Sequence, residues 1–233
     1  MASITKQHLI MDCLNIIRGG SQSNSENISE SQVGYWWDNT RAKFIRQDLM
    51  KNRSINYDII QTLCIDLVIA DASDCPCEVA GCTILKSALP IPPAIEVDDR
   101  NLVLSVGPID LTKKRFSFMP YSRAMWYNPN KYSKSIPGAF IHNGYLFVIA
   151  TSNKIDMLEV CTMNIVLERP EDAKLFVCQG TPCYTVDSAY PISAFMIEDC
   201  KNFILQNNFK IAATAPSDAS GNSDHDLESP VQK

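Results

Sequence analysis

The sequence lacks a long apolar run and the short motifs that mark the commonest enzyme families. No run approaches the about 18 apolar residues that a membrane-spanning helix needs. There is no GxGxxG, no GxxxxGK followed by Ser or Thr, no HExxH and no GxSxG. The histidines are few and scattered, at His8, His142 and His225. These absences argue against a membrane protein and against an enzyme, so we assign no catalytic or cofactor-binding residue.

A concentrated positive charge is also missing. The 233 residues carry a net charge of −5. Residues 215–233 account for −3 of it and contain one Leu, one Val and no aromatic residue, which leaves −2 for the body. The body therefore has no basic coat for nucleic acid. The tail buries too little apolar surface to offset its ordering entropy, so we expect it to be flexible, with an arm that orders against a neighbouring subunit as the alternative.

The first twenty residues show no secretory signal. Their apolar residues are spread at helical spacing and no small-residue cleavage site follows them. We therefore expect a protein that folds in a cytoplasm, where thiols stay reduced. The chain length suits one large domain, or one domain with an insertion.

Cysteine is the residue that most invites a functional interpretation. Three of the nine cysteines fall within eight residues, as Cys75, Cys77 and Cys82. A structural zinc site takes four ligands, usually as two pairs separated by two to four residues. Here only one residue separates the first pair and no histidine lies nearby in the sequence. A fourth ligand would have to come from Cys64, Cys178 or Cys183.

The alternatives to a metal at this loop are a disulfide and a plain structural loop. A reducing cytoplasm disfavours a disulfide. Pro76 and Gly81 provide turn residues, so the sequence favours a compact loop, and we assign no metal ligand. Of the other cysteines, three lie within apolar patterns and are expected to be small buried apolar residues. These are Cys13, Cys161 and Cys200.

Helices are predicted near both chain ends, over about residues 5–18, 29–52 and 191–209. The second begins with a capping box, since Ser29 is followed by Gln32. It is apolar on two sides, because Ile45 and Leu49 lie about 100° around the helix from the stripe that contains Trp37. Such a helix is enclosed either by its own core or between its core and a partner chain. The stripe consists of Val33, Trp36, Trp37, Thr40 and Phe44.

The same helix carries a row of cations with one nearby acid, Asp48. We interpret the row as a solvated or subunit-contacting face in preference to a nucleic-acid face, because no aromatic residues interleave with it. The cations are Arg41, Lys43, Arg46, Lys51 and Arg53.

The middle of the chain reads as strands, over about residues 63–186. The clearest local signal is "AFIHNGYLFVIAT", in which two apolar runs flank Asn143-Gly144, a pair typical of a tight β-hairpin turn. Strands do not alternate with helices, so a parallel βαβ sheet is excluded and the fold class is α+β.

Three stretches resemble a structural protein of crAss-like bacteriophages, short-tailed phages of gut Bacteroidales. They are "ISESQVGYWWDNTRAKFIRQDLMKNRSINYDIIQTLCIDLVIADASDCPC", "SVGPIDLTKKRFSFMPYSRAMW" and "AFIHNGYLFVIA". Within them "DNTRAKFIRQDL", "DASDCPC" and "GPIDL" are the most specific phrases, and the resemblance covers about Ile28 to Phe209. The family forms a ring in the neck, between the portal and the tail.

The resemblance implies a fold like that of short-tailed phage head-tail adaptors. In that fold a helical bundle, built from the N-terminal and C-terminal helices, carries a central antiparallel β-strand insertion. Residues 1–214 would form the ring domain and residues 215–233 an acidic flexible tail.

The resemblance also implies a non-enzymatic virion protein, assembled in the bacterial host cytoplasm. Its expected partners are further copies in a homo-oligomeric ring, a dodecamer if it matches a twelve-fold portal, together with the portal protein and neighbouring tail rings. Genomic DNA would pass through the lumen without sequence-specific binding, and no membrane is involved. The alternatives are a ring or hub component lower in the tail, or a cysteine-stapled metal-binding protein associated with nucleic acid.

Overall fold

The computed structural model describes residues 4–18, 28–52, 54–70, 83–98, 100–110, 112–124, 136–150 and 158–209. The loop that contains Cys75, Cys77 and Cys82 lies outside the described residues, as does the tail at 215–233. The compact loop and the flexible tail therefore both stay predictions.

The helices lie at the two ends of the chain, apart from one short helix in the middle. Single 3₁₀ turns occur at Tyr57–Ile59 and Pro170–Leu175, and the last helix continues as a π-helical turn, Ile204–Phe209. The helices are α1 (Lys6–Ile17), α2 (Glu30–Asn52), α3 (Tyr121–Ala124) and α4 (Ala194–Phe203). The backbone N–H of Gln32 donates to the Ser29 hydroxyl at 3.2 Å, so Ser29 caps α2 as the sequence predicts.

The strands fill the middle of the chain and most of them join one sheet. In chain order they are β1 (Gln61–Ile69), β2 (Thr83–Ser87), β3 (Glu96–Val97), β4 (Arg100–Asn101), β5 (Val103–Pro108), β6 (Ser117–Phe118), β7 (Gly138–His142), β8 (Tyr145–Ala150), β9 (Val160–Ile165), β10 (Val177–Cys178) and β11 (Thr181–Pro182). Strands β3 with β4, and β10 with β11, form two small separate hairpins.

The main sheet has seven strands in the order β5-β9-β1-β2-β8-β7-β6 and is nearly closed into a barrel. Its pairs are antiparallel except β6 with β7, which run parallel. The two ends of the sheet meet where the backbone N–H of Phe116 donates to the carbonyl of Val106 at 2.8 Å. The chain between β5 and β6 therefore joins the first and last strands of the sheet.

The β7–β8 hairpin confirms the strongest local prediction. Asn143 and Gly144 both have positive φ, at 48° and 77°, as a type I′ turn requires. His142 pairs with Tyr145 on either side of this turn. The hairpin fixes the register that places Leu146 and Val148 on the inner face of the sheet.

The inner face of the barrel forms a core of aliphatic and aromatic side chains. On β1 the buried residues alternate as Leu63, Ile65 and Leu67, as expected of a strand with one buried face. The neighbouring strands add Leu85, Val106, Ala139, Leu146, Val148, Cys161, Met163 and Ile165. This core is the structural centre of the β region.

The helices build a second core across the end of the barrel where β1 and β5 begin and β9 ends. There α1, α2 and α4 pack on Ile59, Ile95 and Val166. Both apolar sides of α2 are buried, since Trp37 and Ile45 are each fully enclosed. The sequence left open whether α2 is enclosed by its own core or between its core and a partner chain. The core of the same chain encloses these two residues.

The predicted helical bundle with a central β insertion is wrong. The seven-stranded barrel-like sheet is the body of the protein, and the helices cover one end of it. The local patterns identify strands one by one. They do not show that β1 pairs with a strand about a hundred residues later, which is what makes the β region a body with its own core.

Within the described part of the chain, no helix combines the length and the apolar character that crossing a membrane requires.

Candidate functional site

Three cysteine side chains meet on the outer face of β1. Cys64 points outward because its neighbours Leu63 and Ile65 point into the barrel. Its sulfur is bonded to that of Cys178, with an S–S distance of 2.06 Å and a Cα–Cα distance of 5.2 Å, across 114 residues of sequence. This bridge attaches the β10–β11 hairpin to the barrel wall.

The third sulfur comes from the same hairpin. Gln179 and Gly180, with φ of 50° and 82°, form its turn. The backbone N–H of Cys183 donates to the backbone carbonyl of Phe176 at 2.8 Å. Cys183 therefore lies diagonally across the hairpin from Cys178. The two sulfurs lie 2.9 Å apart. All three sulfurs lie within 4.8 Å of one another, and among the described residues they form a group that could hold a metal ion.

The sequence reasoning named these three cysteines only as extra ligands for the Cys75–Cys82 loop, and it missed that they meet one another. A local signal was present: Cys178 and Cys183 are separated by four residues that include a Gln-Gly turn. The contribution of Cys64 has no local signal, because it depends on how the hairpin packs on β1.

The three cysteines predicted to be buried apolar residues are confirmed in that role. Cys13, Cys161 and Cys200 have no exposed surface. Burial raises the pKa of the Cys13 thiol to about 11, and those of Cys161 and Cys200 to about 12. These thiols stay protonated at neutral pH and are therefore poor nucleophiles and poor metal ligands.

An exposed apolar patch lies beside the cysteine cluster. It consists of Leu89, Leu175 and Val177, which are 45%, 58% and 50% exposed, and these side chains line one shallow pocket with Cys64 and Asp66. Contiguous exposed apolar side chains commonly mark contact surfaces between proteins. We call this set the cysteine-side patch.

A buried polar network joins the helices to the barrel. The Lys6 ammonium contacts the carboxylates of Asp38, at 2.8 Å, and Glu171, at 2.7 Å. The Tyr190 hydroxyl donates to the second oxygen of Asp38 at 2.8 Å. Burial and the negative charge of Asp38 hold the pKa of Tyr190 well above its usual range, so this hydroxyl remains a donor. The network fixes α1 and α2 against the residues around Pro170.

Arg41 completes this network and corrects the sequence interpretation of the α2 cations. Its guanidinium is fully buried and donates to the carbonyls of Pro191, at 2.6 Å, and Leu167, at 2.8 Å. Burial lowers the pKa of Arg41, while nearby Tyr190 and Asp38 act in the opposite direction. The predicted solvated or subunit-contacting role is therefore wrong for Arg41, because backbone carbonyls that only the tertiary fold assembles bind it.

The remaining described cations of α2 do not form one uniform basic face. The Lys43 ammonium sits 3.8 Å from the centre of the Phe203 ring. Arg46 donates to the carbonyl of Glu96 at 2.9 Å and lies 3.9 Å from the Glu168 carboxylate. Arg53 lies outside the described residues. With Arg41 buried, the described cations of α2 that keep exposed surface are Lys43, Arg46 and Lys51.

The two described histidines have structural contacts. The His8 ring nitrogen lies 3.1 Å from the Thr5 hydroxyl at the start of α1, where the pair forms a capping box. The His142 ring stacks on Tyr121 with centroids 4.0 Å apart. His225 lies outside the described residues.

A protein-family model matches residues 8–227 of the chain. The matching family is described as phage tail ring protein 2, so the class is a bacteriophage tail component. The chain belongs to this family of ring proteins of crAss-like phages, and the resemblance drawn from the sequence is confirmed. The comparison with curated proteins found no match. Membership of a tail ring family favours a structural role over a catalytic one.

Proposed function

We propose that the protein forms a homo-oligomeric ring in the neck of the virion, which joins the portal to the tail and surrounds the DNA channel. The observation that carries this proposal is the family match over residues 8–227. A ring assembled on a twelve-fold portal would contain twelve copies. The subunits would contact one another head to tail, since a heterologous interface closes when its rotation fits.

The described surface supports a protein that works through contacts. The cysteine-side patch offers exposed apolar side chains from the segment after β2, from the 3₁₀ turn Pro170–Leu175 and from β10. The body carries little net charge, and the most buried α2 cation, Arg41, is engaged inside the fold. A lumen without a concentrated cationic surface would let DNA pass, because phosphate binding depends on clustered positive charge.

A second candidate position is a ring or hub lower in the tail. The family description favours it in one respect, because it names the tail and makes no mention of the neck. Both positions use the same oligomeric ring and differ only in the neighbour above it.

Light scattering of the purified protein, alone and mixed with purified portal, tests the proposal. A high-order oligomer that binds the portal supports the neck ring. A high-order oligomer that ignores the portal supports the lower position. A monomer under both conditions contradicts the ring proposal.

A double substitution that introduces two negative charges tests whether the cysteine-side patch is a subunit contact. We expect Leu175→Glu with Val177→Glu to reduce the oligomer to smaller species, because each carboxylate would have to be desolvated in the interface. Tyr57→Glu is the matched control, since Tyr57 is 85% exposed and lies outside the patch. Equal oligomer size in all three proteins would remove the patch from the interface.

A further inference from the structure

The cysteine cluster is the feature that the ring function leaves unused. A ring subunit needs contact surfaces, yet three sulfurs from three separate positions converge on one point of the barrel wall. We propose that Cys64, Cys178 and Cys183 bind a zinc ion in the reduced protein. This inference does not depend on the position of the ring or on its copy number.

The distances fit a tetrahedral thiolate site after a small rearrangement. Zinc–sulfur bonds of about 2.3 Å place the sulfurs of a tetrahedron about 3.8 Å apart. The three sulfurs lie within 4.8 Å of one another, and the Cα atoms of Cys64 and Cys178 are 5.2 Å apart. Rotation of the reduced side chains can bring sulfurs this close to the tetrahedral spacing.

The backbone already presents the ligands as a zinc site requires. Cys178 and Cys183 have four residues between them, which lies within the usual spacing of a zinc-binding pair. Their hairpin turns at Gln179 and Gly180 and returns Cys183 to the same face as Cys178. Cys64 lies in the part of β1 that pairs with β9, where it is opposite Thr162.

The chemistry of the donors selects a soft cation. Three thiolates favour zinc over magnesium or calcium, which prefer oxygen ligands. Cys64 lines a pocket at the surface, so a water molecule can take the fourth position. The buried thiols of Cys13, Cys161 and Cys200 do not compete, because burial keeps them protonated.

Metal binding requires the dithiol form of Cys64 and Cys178. A cellular thiol reductant supplies two electrons and two protons, which break the sulfur–sulfur bond and leave two thiols, while the reductant itself becomes a disulfide. The three thiols then release three protons as zinc binds. A reducing cytoplasm maintains the thiol form, and an oxidising environment would replace the zinc with the bridge.

The metal content of the full chain tests the proposal. The protein is produced with zinc in the medium, purified with a phosphine reductant and analysed by elemental mass spectrometry. We expect about one zinc per wild-type chain and less than about 0.2 per chain for Cys183→Ser, because losing one of three protein ligands removes most of the affinity. Cys200→Ala is the matched control, since it removes one cysteine far from the cluster and should keep the zinc.

Variants of the separate cysteine loop distinguish the two possible locations of a metal. Zinc that is lost with Cys75→Ser or Cys77→Ser but kept with Cys183→Ser would overturn the proposal. Zinc that is lost with Cys183→Ser and kept with both loop variants would support it. Copper or iron in place of zinc would overturn the assignment of the metal.

A titration of the reduced, metal-free wild-type chain with Co²⁺ keeps the test valid if Cys183→Ser fails to fold. We expect the visible bands of tetrahedral cobalt with a near-ultraviolet thiolate band, saturating at one equivalent and bleached by added zinc. A reduced chain that binds neither cobalt nor zinc would overturn the proposal. So would a Cys64–Cys178 bridge that persists in the reductant, detected by peptide mass.

Discussion

The barrel and the helical layer reach their stability in different ways. Most buried residues on the inner face of the barrel are aliphatic, aromatic or sulfur-containing, and the buried Gln61 and Ser87 beside them carry no charge. The helical layer instead encloses charged residues, since Lys6, Asp38 and Arg41 are all buried at its contact with the barrel. Together with Glu171, these side chains carry two positive and two negative charges, so the network is balanced.

This difference separates the part of the fold held by apolar packing from the part in which directional contacts fix the positions of the helices. Apolar packing is non-directional and tolerates many combinations of side chains. Buried hydrogen bonds and ion pairs are directional, so the contacts of Lys6, Asp38 and Tyr190 favour one relative position of α1, α2 and the barrel. We infer that the barrel core supplies most of the stability and the polar network fixes the docking of the helices.

The largest effect is expected from breaking the polar network. Asp38→Ala should lower the free energy of unfolding by about 3–5 kcal/mol, because it leaves the buried Lys6 and Arg41 charges poorly compensated. Chemical denaturation followed by circular dichroism measures this change. The matched control is Asp12→Ala, which removes the partly exposed ion pair with Lys201 and should cost less than about 1 kcal/mol. Similar losses in both variants would contradict the special role of the network.

A cavity in the barrel should give the next largest effect. Leu146→Ala removes a fully buried side chain from β8 and should cost about 3 kcal/mol, through lost transfer energy and an unfilled cavity. The exposed Val68→Ala provides the control and should change the free energy of unfolding by less than about 0.5 kcal/mol. A loss below about 1 kcal/mol for Leu146→Ala would show that the barrel core is loosely packed.

The smallest effect concerns alkaline pH and compares one thiol from each region. The folded pKa values, about 12 for Cys161 in the barrel and about 11 for Cys13 in the helical layer, both lie above the unfolded value of 9.0. The folded state therefore releases these two protons at a higher pH than the unfolded state does. The stability that each protonated thiol contributes is fully present below pH 9. It is lost as the pH rises towards 11 for Cys13 and towards 12 for Cys161. Each should lower the free energy of unfolding by up to about 1.4 kcal/mol per pH unit in that window.

Unfolding midpoints at pH 8, 9 and 10 in constant reductant measure this dependence. Cys161→Ala and Cys13→Ala should each flatten the decline relative to the wild type. A decline that is unchanged in both variants would assign the alkaline loss to other groups, such as Tyr184, whose pKa is raised to about 12 by burial and nearby carboxylates.

Local features were predictable from the sequence because their causes are local. The β7–β8 hairpin follows from Asn143-Gly144, and the start of α2 follows from the Ser29 cap. The closed sheet was not predictable, since the hydrogen bond between Phe116 and Val106 joins the ends of a sheet whose order departs from the chain order. The apolar patterns in the sequence indicate which residues form strands. They do not indicate which strands become neighbours in the sheet.

The candidate site failed to emerge from the sequence for a related physical reason. Cys75, Cys77 and Cys82 drew attention because they are close in sequence, whereas Cys64 and Cys178 are close in space across 114 residues. Arg41 looked like one member of a solvated row, since its backbone acceptors at Leu167 and Pro191 come from distant segments. Proximity in sequence reveals neither the contact between Cys64 and Cys178 nor the acceptors of Arg41.

The closure of the sheet has a consequence for the production of this protein at high concentration. An open β-sheet offers unpaired backbone groups to any identical chain and so invites growth without a defined end. Here the chain between β5 and β6 occupies that position and hydrogen-bonds the first strand of the sheet to the last. The nearly closed sheet therefore leaves fewer free strand edges to which a further copy could add a strand. Contacts between copies would then rely more on side chains, whose shape and chemistry limit how many can join.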